Sequence, residues 1–79
     1  MSMDLERAAT GYQQIVEKYH AQIIQYLGYR DLANHYDFIA NLYDQADNLH
    51  LAKHWTLKSI AVFPLSNVRG RLRMFLKRV

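Results

Sequence analysis

The chain contains no cysteine, one proline and three isolated glycines, and its last fifteen residues contain no acid. Without cysteine there is no disulfide framework and no thiolate metal site, so folding has to rest on apolar packing, and a reducing, cytoplasmic setting is expected. Gly11, Gly28 and Gly70 stand too far apart to form a phosphate-cradling loop. No run approaches the roughly 18 to 20 apolar residues of a membrane span. Met1-Ser2-Met3-Asp4 leads into charged residues rather than into the apolar core of a signal peptide. With so few helix breakers, long stretches are left free to form helices.

What is present is a 79-residue chain, 51% apolar, expected to form a single helical domain over 1–79. That length lies near the lower limit at which one core outweighs chain entropy. The net charge of +3 hides a division. Residues 1–64 carry seven acids and five bases, whereas residues 65–79 carry Arg69, Arg71, Arg73, Lys77 and Arg78. A one-sided basic end of this kind points to an anionic partner or surface.

Apolar residues recur at three- and four-residue steps in four segments, which predicts an all-α fold of four antiparallel helices near 4–27, 31–46, 48–63 and 66–78. The first carries Leu5, Ala8, Ala9, Tyr12, Ile15, Val16, Tyr19, Ile23, Tyr26 and Leu27, with Asp4 as the expected N-cap and Gly28 as the stop. The second starts after Asp31 and places Leu32, Tyr36, Ile39, Ala40 and Tyr43 on one side. The third starts after Asp47 or Asn48, presents Leu51, Ala52, Trp55, Ser59, Ile60 and Phe63, and has to end before Pro64. Ser66 is the expected cap of the fourth, whose apolar stripe is Val68, Leu72, Phe75, Leu76 and Val79. On this pattern Trp55 is expected to be buried against the fourth helix near Leu72 or Phe75.

The six tyrosines form two series at seven-residue spacing, Tyr12-Tyr19-Tyr26 and Tyr29-Tyr36-Tyr43. Each series lies along one helical face, and core or boundary packing with the hydroxyl toward water accounts for them better than a ligand ladder. Catalytic chemistry has few candidates. Of His20, His35, His50 and His54, only the last two share a helix at the four-residue spacing of a metal pair, with no glutamate between them and only Asp44 or Asp47 nearby. No nucleophile–base pair stands out, so no enzyme activity, metal or cofactor is expected.

Tyr36, Ile39, Ala40, Tyr43, Ala52, Ser59 and Pro64 follow one another at the intervals of a tetratricopeptide repeat, and the stretch from about 33 to 66 resembles that family. Ala40 and Ala52 stand where two helices cross closely, with aromatics beside them. Asp47 stands where the family has glycine, Leu49 where it has tyrosine, and Thr56 where it has an aromatic next to Trp55. The resemblance implies a short solenoid that binds protein, with a compact helical bundle as the alternative. The polar side of the second helix, Asn34, Asp37, Asn41 and Asp44 with Tyr29 ahead of them, is then the expected partner surface, beside a groove between the first two helices.

A second likeness is looser. A helical hairpin ending in an apolar and basic helix, from Leu42 through Phe63-Pro64-Leu65-Ser66 to the arginines, resembles C-terminal extensions of some bacterial family 2 glycosyltransferases, without their catalytic domain. The function expected first is therefore a non-catalytic interaction or adaptor module acting on a protein partner or on a second copy as a homodimer. The alternative is an anion-binding tail, in which Arg69, Arg71, Arg73, Lys77 and Arg78 meet a membrane surface or nucleic acid. With Phe75 the only aromatic among those arginines, an acidic protein or lipid surface fits better than stacked bases.

Overall fold

The computed structural model describes residues 2–65 and 68–76, with Ser2 and Met3 described by their backbone only. These residues form four helices and no strand: α1 (Ser2–Leu27), α2 (Tyr29–Gln45), α3 (Leu49–Val62) and α4 (Val68–Leu76). The protein is all-α, as its apolar periodicity predicts.

Local chemistry sets each boundary. Gly28 ends α1 in the left-handed region at φ +93°, donating its N–H to the carbonyls of Ile23 and Ile24 at 2.9 and 3.1 Å. Only glycine takes that conformation without strain, and α2 begins at the next residue. Asp31 is consequently in the first turn of α2 and does not cap it, and Asp4 likewise lies inside the first turn of α1. Both still oppose the positive end of their helix dipole.

The turn after α2 is a Schellman motif. Asn48 N–H reaches the Tyr43 carbonyl at 2.8 Å, Asp47 N–H reaches that of Asp44 at 3.1 Å, and Asp47 itself adopts φ +62°. Asn48 then caps α3 by accepting the Leu51 N–H on its Oδ1 at 3.3 Å. Phe63 is extended, as a residue before proline must be, and α3 stops there. Ser66 lies outside the described residues.

Packing is sequential. α1 lies on α2, α2 on α3 and α3 on α4, and among the described residues no other pair of helices packs backbone to backbone. The core runs through this array as Ala9, Val16, Leu32, Ile39, Ala40, Tyr43, Ala52, Trp55 and Met74. α2, covered on both sides, supplies four of these nine, more than any other helix. On α1 the expected stripe is only partly covered: Ala9 and Val16 are buried, whereas Ile15, Tyr19, Tyr26 and Leu27 are exposed. Trp55 is buried, at 3% exposure, but its ring meets Tyr36 and His54, and the Lys58 ammonium sits 4.4 Å from its centroid.

The orientation of α4 corrects the sequence reading. Its inward residues are Arg71 and Met74, and Val68, Leu72, Phe75 and Leu76 are exposed. The contribution of α4 to the core around Trp55 is therefore Met74, and neither Leu72 nor Phe75 belongs to that core.

Ala40 of α2 and Ala52 of α3 are both buried and belong to one core cluster. Replacing either with leucine is expected to cost about 1 to 3 kcal/mol by overpacking, read from the urea midpoint at unchanged m-value. A variant of either residue with wild-type stability would place the helix crossing elsewhere.

Candidate functional site

A buried polar cluster joins three helices. Asp37 of α2 is 8% exposed, and its Oδ1 lies 2.5 Å from Ser59 Oγ of α3 and 3.6 Å from Arg71 Nε of α4. Ser59 Oγ also lies 2.8 Å from the Thr56 carbonyl, within its own helix. Arg71, 4% exposed, donates from Nη1 to the Phe63 carbonyl at 2.7 Å. That carbonyl belongs to the C-terminal end of α3, where helical oxygens lack intrahelical partners, so Arg71 caps α3 from a different helix.

This arrangement moves two residues out of the surfaces expected for them. Arg71 does not belong to an outward basic face because its charge is taken inward by Asp37 and the α3 terminus. Asp37 is correspondingly absent from the polar outer side of α2. Of the other residues on that side, Tyr29, Asn34 and Asn41 are exposed and Asp44 is half-buried. Arg69 and Arg73 are exposed; Lys77 and Arg78 lie outside the described residues. The sequence held one signal for the buried pair. Asp37 falls four residues after Ala33 and three before Ala40, on the small-residue side of α2 that α3 covers.

The seam between α1 and α2, where a groove was expected, is filled by side chains. Tyr12 packs edge-on against Phe38, its hydroxyl hydrogen-bonds to His35 Nδ1, and the Tyr43 hydroxyl donates to Gln13 Oε1 at 3.1 Å with Thr10 Oγ1 at 3.3 Å. Burial raises the Tyr12 pKa, and burial followed by repulsion from Glu17 raises that of Tyr36. His20 bonds to the Glu17 carbonyl of its own helix, and His50 and His54 are exposed. Among the described residues no three His, Cys, Asp or Glu side chains are grouped to hold a metal, and no helix is long and apolar enough to cross a membrane.

The outer flank of α4 has different chemistry. Ile60, Pro64, Val68, Leu72 and Phe75 line an apolar groove of about 140 Å³ at the α3–α4 end of the array. Leu72 is 58% exposed and Leu76 80%, with Arg69 on the same helix. Four of the nine residues of α4, Val68, Leu72, Phe75 and Leu76, are thus exposed apolar side chains.

The polar cluster yields two expectations. Asp37→Ala leaves the Arg71 charge buried without its carboxylate and should cost about 3 to 5 kcal/mol. A domain of this size holds on the order of 5 kcal/mol in total, so that variant should be substantially unfolded by circular dichroism at room temperature. At alkaline pH the sign is set by tyrosine. With folded pKa values above the ordinary 10.0, the native state keeps protons that the unfolded state releases, so stability is full below about pH 10 and falls as pH rises through the folded values. Tyr12→Phe should flatten that alkaline loss in urea titrations at successive pH values; an unchanged slope would remove Tyr12 as its source.

Compared with family models, curated proteins and solved structures, the chain matches none of them.

Proposed function

We propose that the chain is a non-catalytic protein-interaction module, and that its docking face is the outward flank of α4. One observation carries this reading. With Arg71 and Met74 turned inward, Val68, Leu72, Phe75 and Leu76 line the open end of a sequential helix array, where the next helix of a longer stack would lie. The occupant that fits is an amphipathic helix with apolar residues facing the groove and acidic residues on its borders, because Arg69 and Arg73 flank the apolar side. The tetratricopeptide-like order of Tyr36, Ile39, Ala40, Tyr43, Ala52, Ser59 and Pro64 supports the same reading. So does Asp47, whose left-handed backbone suits the position at which that family has glycine.

A second reading has its own support. An exposed apolar flank beside arginines is also the layout of a helix lying in an anionic membrane surface. The two readings separate in one experiment. The intact chain and its Leu72→Glu variant, altered at an exposed position and so of unchanged stability, are titrated with a helical Leu/Glu peptide and with vesicles containing phosphatidylserine, while sedimentation is followed over concentration. The expected result is saturable peptide binding that weakens at least about tenfold in the variant, about 1.4 kcal/mol. Vesicle binding without peptide binding would establish the membrane reading. Concentration-dependent dimerisation abolished by Leu72→Glu would make the partner a second copy.

A further inference from the structure

α1 presents more apolar surface than its one neighbour covers. Among the described residues it packs only on α2, which takes Ala9, Val16 and, in part, Tyr12 and Ile23. Beside that inward stripe runs a second one. Ile15 is 59% exposed, Tyr19 45% and Tyr26 75%, and with the exposed Gln22 they follow one another at intervals of four, three and four residues. That alternation is the seam of a helix pair, in which each side chain enters a gap between side chains of the facing helix. The tyrosine series of α1 thus divides: Tyr12 belongs to the contact with α2, where it meets His35 and Phe38, whereas Tyr19 and Tyr26 face outward.

Area and charge together say what covers this stripe. Aromatic side chains bury roughly 150 to 250 Å² each, so the uncovered parts of Ile15, Tyr19 and Tyr26, with the stems of Gln22, Lys18 and Gln25, amount to on the order of 500 Å² per copy. Two such surfaces together bury about 1,000 Å², the threshold of a specific interface. Lys18 is the one charge at its border, its ammonium 5.4 Å from the Tyr19 ring centroid, so little in the stripe selects an oppositely charged partner.

The stripe is instead complementary to itself. A two-fold axis between residues 20 and 21 sets Ile15 opposite Tyr26 of the second copy and Tyr19 opposite Gln22 of the second copy, each contact occurring twice. An aliphatic side chain then meets a ring, a phenol hydroxyl meets an amide, and Lys18 falls beside the neutral Gln25 of the second copy. Moving the axis to residue 17 brings the two Lys18 side chains together, which like-charge repulsion disfavours. Antiparallel pairing also sets the two helix dipoles in opposition.

We infer that α1 is a self-association surface, on which a second copy of this chain packs its own α1 antiparallel through Ile15, Tyr19, Gln22 and Tyr26. This surface lies at the other end of the helix array from α4 and does not depend on what the α4 flank binds.

Sedimentation equilibrium of the intact chain over about 10 μM to 1 mM, the range suited to an interface of this size, tests the inference. The expected result is a monomer–dimer equilibrium that stops at two copies. Ile15→Lys and Tyr26→Glu, both at exposed positions and checked for unchanged circular dichroism and urea midpoint, should each weaken dimerisation by at least about tenfold. Because the antiparallel register places those two positions face to face, mixing the variants should restore association as a one-to-one heterodimer, identified by native mass spectrometry. Variants that dissociate but do not recombine would overturn the antiparallel arrangement. Leu72→Glu should leave the dimer intact, which separates this surface from the α4 docking face. A chain monomeric throughout, a dimer indifferent to both α1 variants, or one lost with Leu72→Glu would overturn the assignment. Binding of a strict monomer to phosphatidylcholine vesicles, lost in Ile15→Lys, would overturn it in favour of a membrane surface.

Discussion

The buried carboxylate of Asp37 governs how the C-terminal part of this protein is arranged. A charge placed between α2 and α3 has to be met by a countercharge and by hydrogen-bond donors, because removing one member of a buried pair is among the more damaging changes a small domain can undergo. Ser59 supplies the donor from within the hairpin. The countercharge comes from α4, and bringing Arg71 inward fixes the rotation of that helix. Once Arg71 and Met74 face the core, the remaining apolar residues have to face out. Charge pairing and hydrophobic burial thus compete for one nine-residue helix, and the outcome is a paired charge inside and an uncovered apolar flank outside. Fully covering a leucine or phenylalanine side chain is worth about 1.5 to 3 kcal/mol, so contact of the exposed flank with another surface would add stability.

The rest of the molecule follows from α2 being covered on both sides. Ala33, Ala40 and Ala52 permit close approach, while Ile39, Tyr43 and Trp55 fill the volume around them. The seam with α1 is more polar, with Tyr12, His35, Gln13 and Tyr43 linked by hydrogen bonds. Specificity in that seam therefore comes from matched donors and acceptors, and in the α2–α3 contact from shape.

The sequence made the helices legible because their signals are local. Apolar steps of three and four, a glycine after Leu27 and a proline after Phe63 locate four segments to within a few residues, and the burial of Ala40, Ala52 and Trp55 follows from the spacing of the hairpin. The starts of α1 and α2 were misplaced because Asp4 and Asp31 resemble caps, whereas a single glycine at φ +93° lets α2 begin immediately after α1. The rotation of α4 was illegible for a stronger reason. Its own pattern favours burial of Val68, Leu72, Phe75 and Leu76, and a carboxylate thirty-four residues earlier in the chain overrides it. The same long-range pairing hid the burial of Arg71, since an arginine among arginines looks like one more surface charge.

The bond from Arg71 Nη1 to the Phe63 carbonyl also bears on how this protein opens. A short terminal helix with limited packing would ordinarily fray alone, as the least protected unit in hydrogen exchange. Here the side chain that closes the end of α3 is carried by α4, so detaching α4 uncaps α3 and strips Asp37 of its countercharge in the same event. The last turn of α3, the buried carboxylate and α4 are thereby coupled, so amide protons on both helices are expected to share one opening free energy in hydrogen exchange.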